Sequence, residues 1–323
     1  MTLEEFLKEW HSTSPVLLVH TSGSTGQPKP LLVEKRRMEA SARITCQFLG
    51  LREGDTALLC MPLDYIAGKM MVVRALACGL RLVSVVPSGH PLASVTQPIA
   101  FAAMVPLQVY NSLQVPEERE RLRQIRHLLI GGGAIDDAMA EVLKDFPHAV
   151  WSTYGMTETL SHIALRRLSG STRSDWYTPL AGVTVSLGDG DCLVVDAPAV
   201  HDGILVTNDV AELSPVGGQS FRILGRKDNV VCSGGVKIQI EEVEQRLRPV
   251  LAAPFMATKR RDPKFGEALV LLTEGSPDEA RSACAAVLPR LWLPRHYMHV
   301  DRLPVTATGK PARYLAQEIA EKE

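Results

Sequence analysis

The chain has 323 residues, 46% of them hydrophobic and 22% charged, with a formal net charge of −1. That length suits one large domain or two ordinary ones and permits a sizeable buried core, while the near-neutral charge excludes the basic excess of a nucleic-acid binder. The six cysteines (Cys46, Cys60, Cys78, Cys192, Cys232 and Cys284) are scattered and form no CxxC pair, so zinc-site and thioredoxin-like chemistry is set aside and reduced, mostly buried thiols are expected.

The N-terminal stretch MTLEEFLKEWHSTS is acidic and amphipathic, with no basic segment leading into an apolar one. No run approaches the about 18 uninterrupted apolar residues of a membrane span, and a cytoplasmic enzyme is the expectation. From Pro15 to about Leu224, short apolar runs alternate with helical stretches: VLLVH (16–20), TALLCMPL (56–63), RLVSVV (81–86), HLLIGGGA (127–134) and AVWSTYG (149–155). Each is followed by Gly, Ser or Pro and a helix-like segment, the pattern of buried strands in an α/β sheet with ligand loops at the strand ends. From Gly182 the texture shifts to short strands with Gly and Asp turns (VTVSLGDGDCLVVD, then GILVTNDVAELS), a small antiparallel β region with hairpins. A boundary falls near GRKDN (225–229). Beyond it, IEEVEQRLRPVLAA places Val243, Leu247, Val250 and Leu251 at helical spacing, and Pro249 should end or kink that helix. Strand (ALVLLTEG), helix (SPDEARSACAAVLPRL) and strand (HYMHVDRLP) follow as an α+β unit. The fold expected is therefore α/β, with a large N-terminal domain over residues 1–225 and a small C-terminal α+β domain over 226–323.

Five segments carry chemistry. HTSGSTGQPKP (20–30) follows an apolar strand directly and puts four hydroxyls, two glycines and Lys29 within nine positions. Glycines admit close backbone approach, and the hydroxyls of Thr21, Ser22, Ser24 and Thr25 and backbone N–H groups donate to phosphate oxygens, so the loop can wrap phosphate. It lacks the GxxxxGK[ST] spacing of a P-loop kinase or GTPase. YGMTET (154–159), again at a strand end, offers Glu158 as a hard oxygen ligand for a Mg²⁺ held jointly with nucleotide phosphates. TND (207–209) and GRKDN supply Asp209 and Arg226, which can hydrogen-bond ribose hydroxyls, and LPVTATGKPAR (303–313) presents Lys310 on a Thr/Gly-rich loop. A lysine there can neutralise charge developing on a carboxylate and an α-phosphate during in-line attack. Taken singly, these segments also read as a flexible Ser/Gly loop, a capped helix start, ordinary turns and a solvated surface lysine.

Taken together and in this order, TSGSTGQPK, YGMTET, TND, GRKDNVVCSGGVKIQIEEVE and TGKPAR resemble the adenylate-forming superfamily of acyl-CoA synthetases, peptide-synthetase adenylation domains and luciferases, from about His20 to the C-terminus. The resemblance implies an ATP- and Mg²⁺-dependent acid–thiol ligase with coenzyme A as co-substrate and a mobile C-terminal domain. By position, Thr21, Ser22, Gly23, Ser24, Thr25, Gly26 and Lys29 would hold the β- and γ-phosphates. Gly131, Gly132, Gly133 and Ala134 would lie against adenine, Tyr154 and Gly155 near the base, Thr157 at the α-phosphate, and Glu158 on the metal. Asp209 and Arg226 would hold the ribose, Asp228 would be the hinge, Lys310 the adenylation lysine, and Gly234 and Gly235 the passage for the pantetheine arm. Three departures stand out: Pro30 where the family usually has Gly, TND in place of TGD, and only about 20 residues before the phosphate loop.

The acid is set by pocket shape and a few polar groups. The resemblance places Tyr65, Ile66, Gly68, Lys69, Ser161 and His162 at the acyl pocket, where Lys69 and His162 could face a second carboxylate; otherwise they are a solvated helix lysine and a packed or capping histidine. The segments PLDYIAGKMMVVRAL and YGMTETLSHIALRRL look most like those of 2-succinylbenzoate–CoA ligases of menaquinone biosynthesis. Other aromatic or medium-chain acyl-CoA ligases, a carrier-protein-loading adenylation domain and a non-catalytic nucleotide-binding regulator are the alternatives.

Overall fold

The computed structural model describes residues 1–20, 30–133, 135, 137–305 and 311–322. It comprises two compact units. One holds Met1–Ser186, Val194–Leu205 and Leu213–Arg222; the other holds Leu187–Leu193, Val206–Glu212 and Ile223–Glu323.

The first unit opens with helix α1 (Leu3–Trp10), whose acidic start is closed by a capping box. The Glu5 N–H donates to Thr2 Oγ1 at 3.2 Å and the Thr2 N–H to Glu5 Oε2 at 2.7 Å, satisfying two otherwise orphaned donors. Strands β1 (Val16–His20) and β2 (Pro30–Glu34) then pair antiparallel, with Leu18 opposite Leu32. VLLVH thus departs from the expectation of a strand in the main sheet: it pairs with β2 in a separate two-stranded sheet. The reason lies in its periodicity. Leu17 and Val19 are buried while Leu18 and His20 face out, the alternation of a half-buried ribbon, whereas the strand TALL is buried at all four positions as an internal parallel strand must be.

The elements that follow are α2 (Lys35–Leu49), β3 (Thr56–Leu59), α3 (Ile66–Cys78), β4 (Arg81–Ser84), β5 (Phe101–Met104), α4 (Pro106–Gln114), α5 (Pro116–Arg123), β6 (His127–Ile130), α6 (Asp137–Leu143), β7 (Ala149–Gly155), β8 (His162–Arg167) and β9 (Thr178–Pro179). Their strands form a seven-stranded sheet in the order β4-β3-β5-β6-β7-β8-β9. Pairs from β4 to β7 are parallel, and β8 and β9 are antiparallel. The chain runs from β3 out to β4 and then returns to β5 on the other side of β3, so the order reverses there, which is where open α/β sheets leave a crevice beyond their carboxyl ends.

Strands β10 (Thr184–Leu187), β11 (Cys192–Asp196), β12 (Ile204–Leu213) and β13 (Phe221–Arg226) form a four-stranded sheet in sequence order, the hairpin-rich region the Gly and Asp turns indicated. In the second unit, β14 (Val230–Ser233), β15 (Val236–Gln239), α7 (Ile240–Leu247), β16 (Phe255–Asp262), β17 (Gly266–Thr273), α8 (Pro277–Val287), β18 (His296–His299) and α9 (Arg313–Lys322) surround a sheet ordered β15-β14-β17-β16, with β18 parallel to β17. Helix α7 stops two residues before Pro249. Val243, Leu247 and Leu251 enter the core, but Val250, past the helix end, is 47% exposed. Among the described residues no helix is long and apolar enough to cross a membrane.

Candidate active site

Strands β5, β6 and β7 are parallel neighbours, so the loops leaving them share one edge of the first unit. Gly131 leaves β6 with its N–H donating to the Met104 carbonyl at 3.1 Å. A Cβ at Gly131 would stand 2.3 Å from Thr153 Oγ1, and one at Gly155 would stand 2.3 Å from the Ser161 carbonyl. Both glycines are therefore required by close approach of neighbouring chain. Gly132 and Gly133 are exposed backbone beside them.

The pairing of β7 with β8 slips between Tyr154 and Gly155, and such a bulge re-aims the chain beyond it. Tyr154 meets Phe221 edge-on at 5.2 Å and Tyr177 at 6.0 Å, and Ser152 Oγ meets Tyr177 Oη at 2.7 Å. After Gly155 the chain makes a tight turn in place of the helix start that YGMTET alone also allowed. Thr159 Oγ1 accepts from the Met156 N–H at 3.0 Å and lies 2.8 Å from the Ser161 carbonyl. Leu160, buried, holds a left-handed φ of 65°, a conformation costly for a branched side chain and kept only when its surroundings impose it. This turn buries Thr157 and leaves Glu158 exposed, with no partner for the Glu158 carboxylate among the described residues. One free carboxylate at a strand end fits a magnesium ion that takes its other ligands from phosphates and water, whereas no cluster of three acidic, His or Cys side chains is found among the described residues.

The acyl-pocket segment leaves β3 and enters α3. Tyr65 is 41% exposed at the helix cap and Ile66 is half-buried. Gly68 sits against the Pro62 carbonyl. Lys69 is not the solvated lysine of the alternative reading: it is buried, with Nζ donating to the Leu18 carbonyl at 3.1 Å and lying 5.9 Å from the Phe6 ring centre. His162 is buried too, and a chain of hydrogen bonds fixes its tautomer. Thr45 Oγ1 donates to the Ser41 carbonyl at 3.0 Å, so toward His162 Nε2, also 3.0 Å away, it must accept. Nδ1 is then unprotonated and accepts from Ser161 Oγ at 3.3 Å, while Ser161 Oγ itself accepts from Arg74 Nη2 at 2.6 Å. Burial, and after it the Arg74 charge, hold His162 well below its ordinary pKa.

Arg74 is the residue that sequence reading missed. It is 2% exposed on α3, its Nε has no hydrogen-bond partner among the described residues, and its described contacts are Ser161, the Met71 sulfur at 3.9 Å and the Phe101 ring at 5.9 Å. No carboxylate pairs with it among the described residues, and burial draws its pKa down to about 10. The available signal was a single arginine within the apolar run MMVVRALAC.

In the second unit, Asp209 on β12 and Arg226 at the end of β13 come together: Arg226 Nη1 donates to Asp209 Oδ1 at 3.2 Å and Nη2 to Asp228 Oδ2 at 3.1 Å. Asn208, the departure in TND, donates to the same Asp228 oxygen at 3.4 Å. Gly234 and Gly235 form the two-residue turn between β14 and β15, with φ of 57° and 85°, the left-handed pair a tight hairpin demands. Thr21, Ser22, Gly23, Ser24, Thr25, Gly26, Lys29, Ala134 and Lys310 lie outside the described residues.

The model of the family described as AMP-binding enzyme matches residues 4–206. A 2-succinylbenzoate–CoA ligase of Listeria monocytogenes is 25% identical over 348 residues, spanning 97% of this chain and 72% of the relative. The structure of an acyl-CoA synthetase (AMP-forming)/AMP-acid ligase II-like protein from Dyadobacter fermentans is 31% identical, with a TM-score of 0.66 over 97% of this chain and 92% of that one. An O-succinylbenzoate coenzyme A synthetase from Bacillus subtilis, solved with ATP and magnesium ion, is 25% identical, with a TM-score of 0.76 over 92% of this chain and 68% of that one. With a family model that matches more than half its length, the chain belongs to the AMP-binding enzymes.

Proposed function

We propose that the chain is an AMP-forming acid–thiol ligase that activates 2-succinylbenzoate with Mg-ATP and transfers the acyl group to coenzyme A. The ligase chemistry is supported by the family and by the names of the relatives. The choice of acid rests on Arg74. A buried guanidinium without a counter-charge is unfavourable, and an acid carrying a second carboxylate beside the Arg74–Ser161–His162 chain would relieve it. A fatty acid would not. The neutral, Nε2-protonated state of His162 leaves Arg74 as the charge in this chain of hydrogen bonds, and Ser161 links it to the turn bearing Thr157 and Glu158.

In the first half-reaction a carboxylate oxygen of the acid attacks the α-phosphorus of ATP, forming the acyl-adenylate and releasing pyrophosphate. In the second, the thiol attacks the acyl carbon and AMP departs. Residues 21–29 and Lys29 hold the β- and γ-phosphates, Gly131–Gly133 and Tyr154 seat the base, and Asp209 and Arg226 take the ribose. Thr157 meets the α-phosphate. Glu158 holds magnesium, which when bound screens phosphate charge. Lys310 neutralises charge at the α-phosphate in the first step, and its placement on a separate C-terminal domain (226–323), swinging about Asp228, lets it withdraw while the thiol enters beside Gly234 and Gly235.

The test is acid-dependent pyrophosphate release with Mg-ATP over 2-succinylbenzoate, benzoate, octanoate and several amino acids, each with and without coenzyme A. Preference for 2-succinylbenzoate with CoA thioester formed is the expected result; preference for benzoate or octanoate keeps the ligase and removes the dicarboxylate, and amino-acid turnover without thioester points to carrier loading. A Lys310→Ala protein is expected to lose acyl-adenylate formation while still making thioester from supplied acyl-adenylate, and equal loss of both steps would remove Lys310 from the adenylation role.

A further inference from the structure

Strands β3 and β5 lie side by side where the order of the main sheet reverses, and their register pairs are Ala57 with Phe101 and Leu58 with Ala102. Those pairs end before the carboxyl ends of the strands at Leu59 and Met104, so the chain beyond them needs another tie. One side chain supplies it. Gln108, the third residue of α4, is 6% exposed. Its Oε1 accepts from the Val105 N–H at 3.2 Å, one residue past β5. Its Nε2 donates to the Cys60 carbonyl at 3.2 Å, one residue past β3, and to the Ser88 carbonyl at 2.9 Å, on the chain leaving β4. Turned over, the amide would set its oxygen against two carbonyl oxygens and its NH₂ against an N–H, so one orientation alone satisfies all three groups. The bond from Val105 is what a residue at the third helical position accepts as a cap. The two bonds made by Nε2 do something else, for they reach the ends of two other strands.

Two of the tied ends carry parts of the site. Val105 and Pro106 lie against the glycine loop: a Cβ at Gly132 would stand 3.5 Å from Val105 Cγ1, and one at Gly133 3.4 Å from Pro106 Cγ. Cys60 is the root of the acyl-pocket segment, which is folded so tightly that a Cβ at Gly68 would stand 2.3 Å from the Pro62 carbonyl. A shift at Cys60 is therefore passed along the segment, since packed chain transmits strain. Through Val105 and Cys60, the Gln108 amide sets the spacing between the glycine loop and the acyl-pocket segment.

We propose that Gln108 is a positioning residue for the adenylation step, holding the seat of the acid in register with the seat of the nucleotide so that carboxylate and α-phosphorus meet in line. The inference rests on the ligase reaction proposed above, with the base at Gly131–Gly133 and the acid at residues 61–68. An acyl-adenylate already joins acid and nucleotide covalently, so the second half-reaction does not depend on that register. The experiment uses the acid that turns over best, measuring pyrophosphate release with Mg-ATP and, separately, thioester formation from the supplied acyl-adenylate, in the unaltered protein, Gln108→Met and Gln108→Glu. Methionine keeps the length and makes none of the three bonds. A glutamate carboxylate keeps the acceptor for the Val105 N–H and offers no hydrogen to Cys60 or Ser88. In both variants kcat for pyrophosphate release is expected to fall by about 10²-fold, the cost of a misplacement of about 1 Å. The KM values for ATP and acid should move by less than about threefold, as when only transition-state alignment is lost, and thioester formation should keep the rate of the unaltered protein. In Gln108→Met, unchanged pyrophosphate release, or an equal fall in both steps such as partial unfolding gives, overturns the positioning role. Full release in Gln108→Glu reduces Gln108 to a helix cap and overturns it as well. If the unaltered protein releases no pyrophosphate with any acid, the ligase reading falls and takes this role with it.

Discussion

Arg74 brings the cost of the proposed acid recognition down to one side chain. A guanidinium enclosed at 2% exposure, with no carboxylate among the described residues and one N–H unbonded, opposes folding of the ligand-free chain. Arg74→Met is therefore expected to raise the stability of the free protein by about 1 kcal/mol or more, read as an upward shift in Tm. The same change should lower kcat/KM for a dicarboxylate by about 10²-fold, the loss that follows removal of one partner of a buried charge pair, and leave a monocarboxylate little affected. Gly131→Ala carries a different expectation. Its methyl would stand 2.3 Å from Thr153 Oγ1, so the loop must shift, and the KM for ATP should rise while the partner change Thr153→Ala restores it. At this scale the sequence showed Gly131, Glu158, Asp209 and Arg226 because each sits in a compact polar or glycine-rich motif. Arg74 stayed hidden because the role proposed for it rests on the lack of a carboxylate beside it among the described residues, and no linear pattern records an absent partner.

Among the elements, the ion pair of Arg313, the first residue of α9, with Glu244 on α7, made by hydrogen bonds of 2.8 and 2.7 Å, carries a stability prediction. Arg313→Gln leaves Glu244 buried without its counter-charge and should cost about 3–5 kcal/mol, seen as earlier urea unfolding of the second unit. The double variant Glu244→Gln/Arg313→Gln should recover much of that loss. Most elements were legible from pattern: β3, β6 and β7 as apolar runs ended by Gly, Ser or Pro, and α7 as a helix stopped before Pro249. VLLVH was placed in the wrong sheet, since five residues reveal a strand while its partner, PLLVE, is decided by a chain reversal that apolar periodicity does not encode. The slip between Tyr154 and Gly155 and the left-handed Leu160 were equally invisible, being imposed by packing of β8 against β7.

For the molecule as a whole, half-buried His127 and buried His162 contribute to the response to acid. Burial, and then Arg126 and Arg167, hold His127 down to about 4, and burial with Arg74 holds His162 well below the ordinary 6.5. Both rings stay neutral in the folded chain while the unfolded chain takes up their protons, so the unfolded state binds more protons below about 6.5 and stability falls as pH drops from there toward about 4. Above that window these groups contribute no slope. Urea midpoints measured at about pH 7 and about pH 5 should therefore decline, and His127→Gln should flatten the decline. The α/β class and the order of motifs were readable across nearly the entire chain, because ligand loops at strand ends follow from the parallel sheet itself.

The ribbon of β1 and β2 has a further consequence, for behaviour in concentrated solution. Among the described residues it pairs with no third strand, and its outward face sets Leu18, 45% exposed, opposite Leu32, 68% exposed. Two leucines beside open backbone edges make a template for a neighbouring molecule's strand. Light scattering should show concentration-dependent clustering of the purified chain, and Leu32→Lys, which places a charge on that face, should raise the concentration at which clustering begins.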